Sequence, residues 1–373
     1  MCEQRSSILL RERMGTKMKK GFLVLEDGKI YDGEWLGGKP RAGEVIFNTS
    51  HNGYEEIATD PSYYGQIMVM CAPMQGNYGV DKSFWESQQI WIEGFIALDI
   101  YKHDDSWIRR LSDAGVPVLN GIDTRDLVLY LRDKGTMLGA VVHSDSIEDA
   151  KTQAKALIEK HRGLDKDWVH HVSTREMKTL SGASSSGPRV AVFDYGCKQN
   201  IIRELLKRCR EVAVFPSRTS YEEIKKWNPD GILLSNGPGD PADVQKTVEV
   251  VQKFLGQKVI FGICMGQQIL ARALGAKTYR LKFGHHGANH PVKDLRTDEI
   301  YVTSQNHGYA IDAKTLPSDV TVSHVNLNDQ TISGIYYKNK KCFSVQFHPE
   351  CYPGPRDAGV LFDEYIDWIQ HEL

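Results

Sequence analysis

One cysteine of this 373-residue sequence stands where a reactive thiol would be useful. The stretch FGICMGQQ (261–268) places Cys264 between an apolar, strand-like run and a helical pattern, with Gly262 and Gly266 two residues to either side. A sharp strand-to-helix turn requires small residues at those two positions, and the start of a helix favours a thiolate and an oxyanion. The spacing therefore predicts a nucleophile elbow with a strained, exposed cysteine. A buried free cysteine is the alternative.

A thiolate that transfers acyl groups needs a base, and the base needs a partner that orients it. SVQFHPE supplies His348 at the end of a strand-like run and Glu350 two residues later, from where it can fix the imidazole tautomer. SNGPGDP follows the strand-like GILLS and offers main-chain N–H groups at Gly237 and Gly239 for half of an oxyanion hole. Taken singly, each segment also fits an ordinary turn or loop.

The elements that would position these groups divide the chain into parts. Strand and helix patterns alternate over 189–373, which predicts an α/β domain with a doubly wound, mostly parallel sheet and its site at the carboxyl ends of the strands. Residues 20–172 predict an α+β domain, with a hairpin at an Asp-Gly pair and a helix that stops at Gly135. Residues 173–188, which contain SGASSSGP, predict a linker, and 1–19 a flexible extension.

Composition narrows the class of function. The net charge is −2 and no basic block occurs, so we expect neither a nucleic-acid nor a membrane partner. No apolar run approaches the roughly 20 residues that span a bilayer. The seven cysteines show no CxxC spacing, which favours free thiols in the cytoplasm over disulfides or a zinc site. The histidines around 285–290 lie in a glycine-rich stretch, which we interpret as a loop beside the active site. We predict no metal site there.

The three segments, in this order and within a doubly wound sheet, resemble the class I (triad-type) glutamine amidotransferases. Further segments narrow the resemblance to the small, glutamine-hydrolysing subunits of carbamoyl-phosphate synthetases. The resemblance runs from about residue 20 to the end of the chain. Besides the three above, it is carried by GEVIFNTSHNGYEEIATDPSYYGQI (43–67), GIDTRDLVLYLRDKG (121–135), VFDYGCKQNI (192–201), FGHHGANHPV (283–292) and SQNHGYAI (304–311).

The resemblance implies a role for each position that matches the family's motifs. Cys264 would be the nucleophile, His348 the acid and base, and Glu350 the partner that orients the histidine. The glutamine contacts of the family fall at positions that match Ser50, Gly237, Gly239, Met265, Gln268, Asn306, Gly308 and Tyr309.

Each of these positions suits its implied role chemically. Ser50 and Gln268 would offer polar side chains to the amino-acid head group of glutamine. Gly239 and Met265 would offer main-chain N–H groups to the oxyanion. Asn306, Gly308 and Tyr309 would line the pocket.

The resemblance also implies a reaction and a partner. Glutamine would be hydrolysed to glutamate and ammonia through a cysteine thioester, and the ammonia would pass to a large subunit that makes carbamoyl phosphate for arginine and pyrimidine synthesis. The sequence has no Walker-type GxxxxGK[ST], so we expect ATP and magnesium at the large subunit and no cofactor in this chain. The N-terminal domain would dock to that subunit.

Two other functions compete with this one. The first is a different triad hydrolase, such as a cysteine peptidase-like enzyme on the same sheet, although Ser50 and the QNHGY segment favour glutamine. The second is a degenerate amidotransferase kept as a non-catalytic scaffold. An intact set of Cys264, His348 and Glu350 speaks against the scaffold, because a scaffold has no need of it.

Overall fold

A computed structural model of the chain describes residues 19–372, so the predicted extension falls almost entirely outside the described residues. The N-terminal half contains nine strands: β1 (Lys20–Leu25), β2 (Ile30–Gly37), β3 (Arg41–Asn48), β4 (Gln66–Met70), β5 (Met74–Gln75), β6 (Gly94–Ala97), β7 (Asp99–Ile100), β8 (Val118–Asn120) and β9 (Met137–His143).

Seven of these strands close into a barrel in the order β1-β2-β8-β6-β4-β3-β9, while β5 and β7 form a separate two-stranded sheet. The predicted Asp-Gly hairpin joins β1 to β2, and Gly28 supplies the positive φ of 93° that its turn requires. Alternate residues from all seven strands fill the interior, among them Leu23, Val45 and Val141. The prediction of an α+β domain did not foresee that the sheet closes.

Within residues 19–372, the N-terminal half also contains five helices. They are α1 (Tyr54–Thr59), α2 (Ser106–Asp113), α3 (Thr124–Lys134), α4 (Ile147–Arg162) and α5 (Trp168–Val172). Helix α3 ends at Gly135, as the sequence predicts. Strand residues that point outward pack against α1 and α2 on one side, around Trp107, and against α4 on another, around Ala154.

The C-terminal half is built on one ten-stranded sheet in the order β10-β12-β11-β13-β14-β19-β18-β17-β15-β16. The strands are β10 (Lys178–Ser181), β11 (Arg189–Asp194), β12 (Glu211–Pro216), β13 (Gly231–Leu234), β14 (Val259–Ile263), β15 (Thr278–Asp294), β16 (Ile300–Ile311), β17 (Thr321–Asn326), β18 (Ile332–Tyr337) and β19 (Cys342–Val345).

Five helices sandwich this sheet: α6 (Gln199–Arg208), α7 (Tyr221–Trp227), α8 (Gln245–Phe254), α9 (Met265–Ala273) and α10 (Val360–Glu372). Helices α6 and α10 pack on one face, against strand residues such as Val192 and Phe261. Helices α7, α8 and α9 pack on the other, against Phe193 and Ile260. Short 3₁₀ turns complete the structure at Pro61–Tyr63, Lys82–Phe84, Pro241–Val244, Ala313–Thr315, Lys338–Lys340 and Asp357–Gly359.

The prediction of a mostly parallel sheet is correct only for the five central strands, β12, β11, β13, β14 and β19. Residues 278–337 add four antiparallel strands, because short hairpin connections rather than crossover helices join most of them. The glycine- and histidine-rich stretch 283–292 lies within β15 and is not a loop. Within the predicted linker, Lys178–Ser181 forms an edge strand paired with β12.

Candidate active site

Cys264 lies between β14 and α9, at the turn from strand to helix. Its backbone adopts φ 54° and ψ −105°, a conformation that residues with a side chain rarely occupy. The flanking glycines permit this turn. A Cβ on Gly266 would lie 2.1 Å from the main-chain oxygen of Leu234, and one on Gly262 would lie 2.7 Å from that of Gly266. The strain agrees with the prediction, but the predicted exposure is wrong: Cys264 is only 1% exposed and lies at the wall of a cavity.

His348 and Glu350 follow the neighbouring strand β19 and form a buried pair. His348 Nδ1 lies 2.7 Å from Glu350 Oε1, which leaves Nε2 directed toward Cys264. Burial lowers the pKa of His348, but the charges of Glu350 and of a Cys264 thiolate outweigh it and raise the pKa to about 10. This environment favours the imidazolium form, which can release a proton to a leaving group.

Lys198 is a functional residue that the sequence analysis missed. It precedes α6, and its Nζ lies 3.0 Å from Glu350 Oε1 and donates to the main-chain oxygen of Cys351. Burial raises the pKa of Glu350, yet the charges of Lys198 and His348 outweigh this and lower it to about 2. Glu350 is therefore ionised and held between two cations. The stretch VFDYGCKQNI carries Lys198, but nothing in its spacing points to a partner 152 residues away.

A cavity of about 660 Å³ opens above Cys264 between the barrel and the large sheet. Barrel residues such as Glu44 and Gln66 form one wall of it. Cys264 and seven of the eight predicted glutamine contacts line this cavity; the seven are Gly237, Gly239, Met265, Gln268, Asn306, Gly308 and Tyr309. Three segments remote in sequence therefore converge on one space.

Ser50, the eighth predicted contact, does not line the cavity. It lies just beyond the end of β3 and is buried, and its N–H donates to Asn48 Oδ1 at 2.8 Å. Its hydroxyl has no hydrogen-bond partner within residues 19–372. The adjacent Thr49 donates its N–H to the main-chain oxygen of His286 at 3.1 Å, which anchors this end of the barrel to β15.

The main-chain N–H groups of Met265 and Gly239, two residues that line the cavity, are the candidates for an oxyanion hole. Met265 is the first residue of α9, so its N–H has no acceptor within the helix. Gly239 adopts φ 89° in the loop after β13 and also faces the cavity. A positive helix end and a glycine-rich loop thus flank the cysteine, an arrangement suited to binding a developing negative charge.

Gln268 is held in place by hydrogen bonds from its side-chain amide. Its Nε2 donates to the main-chain oxygen of Tyr309 at 2.8 Å and to Gln346 Oε1 at 3.1 Å. Its Oε1 is therefore oriented away from these acceptors. The pKa of Tyr309 is raised to about 12 by burial and by nearby Asp240, so its hydroxyl stays protonated at neutral pH.

Comparison with known proteins identifies the family. Residues 191–368 match the model "Glutamine amidotransferase class-I", and residues 23–141 match "Carbamoyl-phosphate synthase small chain, CPSase domain". The carbamoyl phosphate synthase small chain of Symbiobacterium thermophilum is 45% identical over 353 residues, which is 92% of this chain and 96% of that one. The chain belongs to the carbamoyl phosphate synthase small chain family.

A second small chain, from Methanopyrus kandleri, is 45% identical over 361 residues, 93% of this chain and 98% of that one. The solved structure of a glutamine amidotransferase from Thermotoga maritima is 21% identical, with a TM-score of 0.35, and covers 49% of this chain and 84% of its own. The small-chain model coincides with the barrel of this family member, and the amidotransferase model coincides with the ten-stranded sheet.

Three of the four histidines of β15 and β16 in this small chain form hydrogen bonds with neighbouring protein groups. His285 lies 2.8 Å from Asp329 and 3.1 Å from Gln305, while His307 lies 2.9 Å from the same Gln305 oxygen. Burial lowers the pKa of His286 to about 3, so this ring is neutral. Across residues 19–372, no three His, Cys, Asp or Glu side chains are arranged to hold a metal ion. No helix in that range is long and apolar enough to cross a bilayer.

Proposed function

We propose that this chain hydrolyses glutamine to glutamate and ammonia and delivers the ammonia to a large subunit that makes carbamoyl phosphate from bicarbonate and ATP. The product would serve arginine and pyrimidine biosynthesis. The observation that carries the proposal is the convergence of Cys264, His348 and Glu350 beneath the cavity in a member of the small-chain family. The extent of the sequence similarity to other small chains also supports the proposal, because this similarity spans both halves of the chain.

The reaction begins with attack of the Cys264 thiolate on the side-chain carboxamide carbon of glutamine. The N–H groups of Gly239 and Met265 stabilise the resulting oxyanion. The cationic His348 gives its proton to the departing nitrogen, so that ammonia leaves and a glutamyl thioester remains. Neutral His348 then takes a proton from a water molecule, whose oxygen attacks the thioester carbon. Glutamate is released, and the Cys264 thiolate and the cationic His348 are restored.

The other site residues bind and orient the substrate. Gln268 offers its side-chain oxygen to the amino-acid head group of glutamine. The Ser50 hydroxyl lies outside the cavity lining but has no partner among residues 19–372, and it would be a second contact to that group in the complex with glutamine. Asn306, Gly308 and Tyr309 form another part of the cavity wall. Gly237 lets its loop pack closely on Tyr195, because a Cβ there would lie 2.1 Å from the main-chain oxygen of Tyr195. Glu350 orients His348 and stabilises its cation without itself exchanging protons.

The second half of the reaction belongs to the partner. We assign ATP and magnesium to the large subunit and no cofactor to this chain, in agreement with the absence of a Walker-type phosphate loop from the sequence. Residues 20–172, which include the barrel, would dock to that subunit. The complex would work in the cytoplasm, without a nucleic-acid or membrane partner.

The division of labour is tested with the Cys264→Ser variant in complex with the large subunit. A serine hydroxyl lacks the acidity that yields a nucleophilic anion at neutral pH, so glutamine-dependent synthesis should fall by several orders of magnitude. Synthesis from added ammonium salt should continue at the wild-type rate, because the partner performs that step. Loss of both activities would refute the division, and retention of the glutamine reaction would refute Cys264 as the nucleophile.

Dependence on the partner is tested by measuring glutamate release without it. The cavity lies between the barrel and the sheet, so its geometry depends on how the two halves meet. A shift of about 1 Å in reacting groups can cost on the order of a hundredfold in rate. We expect the chain alone to turn over slowly and to accelerate with the large subunit, bicarbonate and ATP. Equal rates in both conditions would indicate a free-standing glutaminase.

A further inference from the structure

Asp60 is a buried carboxylate of the N-terminal half that contacts the amidotransferase half directly. It follows α1 and caps the 3₁₀ turn Pro61–Tyr63, where its Oδ1 accepts from the N–H of Ser62 at 2.9 Å. Its two oxygens also reach across the junction. Oδ1 accepts from Asn236 Nδ2 at 3.2 Å, and Oδ2 accepts from Asn306 Nδ2 at 3.3 Å. A turn cap needs only one of these bonds, so the other two call for an explanation.

Asn306 is fixed at both ends of its side-chain amide. Its Nδ2 donates to Asp60, while its Oδ1 lies 3.0 Å from Nδ1 of His286, a neutral ring that can donate at that atom. The main-chain oxygen of the same asparagine lies 3.4 Å from Cys264 Sγ. The position of Asp60 is therefore transmitted to a residue that touches the sulfur.

Asn236 connects Asp60 to the glycine-rich loop on the other side of Cys264. It precedes the glycine-rich loop that contains Gly239, and its Nδ2 donates to Asp60, to Ser62 Oγ and to a main-chain oxygen. Its Oδ1 accepts the N–H of Lys198 at 3.0 Å, and Lys198 in turn holds Glu350. One carboxylate thus joins the oxyanion loop, the Lys198–Glu350 pair and the Asn306 wall.

We infer that Asp60 is a positioning residue for glutamine hydrolysis, which aligns Asn306 and the oxyanion loop on either side of Cys264 across the junction of the two halves. The inference rests on the proposed function. Asp60 does not touch the reacting atoms. It lies in the N-terminal half, outside the large sheet, and holds the Asn306 segment and the oxyanion loop in the relative position that the reaction needs.

This role predicts a loss in turnover rather than in binding. The head-group contacts at Gln268 are independent of Asp60, because Gln268 is anchored by Tyr309 and Gln346. Displacement of the oxyanion donors by about 1 Å should lower kcat on the order of a hundredfold. KM should change by no more than about threefold, because the displaced N–H groups stabilise the transition state far more than they stabilise bound glutamine.

The test uses Asp60→Ser in complex with the large subunit. Serine can still cap the turn at Ser62 but is too short to reach either asparagine. The matched control is Asp230→Ser, at the opposite end of the parallel strands, where Asp230 accepts from the N–H of Arg189 at 2.7 Å. We expect the control to keep the wild-type kcat for glutamine, and both variants to keep ammonium-dependent synthesis.

A triple variant identifies the route of the effect. If Asp60 acts through the two asparagines, Asp60→Ser combined with Asn236→Ala and Asn306→Ala should be little slower than the Asn236→Ala/Asn306→Ala variant alone. Should Asp60→Ser fail to fold, Asp60→Asn takes its place. Its side-chain amide has the same size as the carboxylate, but its NH₂ group would face the NH₂ groups of the two asparagines and could not accept their hydrogen bonds. The kcat of this variant should therefore fall as well.

Three results would overturn the inference. They are a kcat for Asp60→Ser within about threefold of the wild type, a loss that the control shares, and a further loss from Asp60→Ser when both asparagines are already replaced. The wild-type complex separates the two hypotheses. If it releases no glutamate from glutamine, the proposed function is wrong. If it does release glutamate and the Asp60 variant has the same kcat, only the positioning role of Asp60 is wrong.

Discussion

Lys198 Nζ lies 3.0 Å from Glu350 Oε1, and neither side chain is more than 2% exposed. On its other side the same carboxylate oxygen lies 2.7 Å from His348 Nδ1. Three ionisable groups are therefore lined up as cation, anion and cation, away from water. Such a row is stable only when it is complete, because each buried charge depends on its neighbour for compensation.

Replacement of Lys198 by methionine should remove both stability and activity. The change leaves Glu350 with one cation in place of two, and breaking a buried pair costs about 3–5 kcal/mol. We expect a comparable fall in the free energy of unfolding by urea titration, together with a fall in kcat. The double variant Lys198→Met/Glu350→Gln should recover part of the stability but not the activity. Full recovery of both would show that the lysine serves packing alone.

Replacement of Glu350 by glutamine should change the pH dependence of turnover. The pKa of His348 is raised in the folded protein, so its cation persists until the pH rises through about 10. Glu350 is the largest positive contribution to that shift. Its loss should move the alkaline limb of the kcat profile down by at least about one pH unit, while KM stays near the wild-type value. An unmoved limb would mean that Glu350 does not tune the imidazole.

Addition of one methyl group at Gly266 should disrupt the turn around Cys264. An alanine Cβ would meet the main-chain oxygen of Leu234 at 2.1 Å, so α9 would have to move away from β13. Overpacking of this kind costs about 1–3 kcal/mol or more, and the displaced nucleophile should lose activity on the order of a hundredfold. Gly359→Ala is the control, since nothing lies within 4 Å of its added Cβ. Equal behaviour of the two variants would contradict the steric argument.

Glu86 is a buried residue of the N-terminal half whose Oε2 accepts the N–H of Asn200, in the other half, at 3.0 Å. It should make the junction between the halves sensitive to pH. Burial raises its pKa from 4.5 to about 7, although Lys198, the N–H of Asn200 and Arg203 lower it and Glu350 raises it further. A carboxyl with a raised pKa contributes stability below its unfolded pKa and loses it as the pH rises through the folded value. The loss between pH 4.5 and 7 is on the order of 3 kcal/mol.

The Glu86→Gln variant isolates this contribution. Its free energy of unfolding should fall less than that of the wild type between pH 5 and pH 8, measured by urea titration at both values. The same slope for both proteins would show that Glu86 is already ionised in the folded state at pH 5.

Local sequence signals were sufficient to place Cys264, His348 and the glycine-rich loop near one another. Each follows a short buried strand, and neighbouring parallel strands bring their carboxyl ends together whatever the intervening sequence. The role of the glycines beside Cys264 could also be predicted from the sequence, since the close approach of α9 and β13 leaves no room for a side chain.

The remaining features depend on contacts between distant parts of the chain. Asp60, Glu86 and Lys198 reach the site from segments whose own spacing fits ordinary turns and helix starts. Strand β15 escaped detection because its pairing with β16 is shifted twice, between Arg280 and His285 and between Gly287 and His290. Bulges of that kind break the alternation of buried and exposed residues by which a strand is recognised.

The last strand in the chain, β19, occupies the middle of the large sheet, between β14 and β18. During synthesis, the parallel part of the sheet that ends at β14 and the antiparallel part that begins at β18 therefore cannot pair until residues 342–345 have been made. Such long-range pairing is slow to form and leaves strand edges open meanwhile. The same segment brings in His348, so a nascent or prematurely terminated chain would carry Cys264 without its base. The thiol would thus acquire its reactive partner only when the fold is nearly finished.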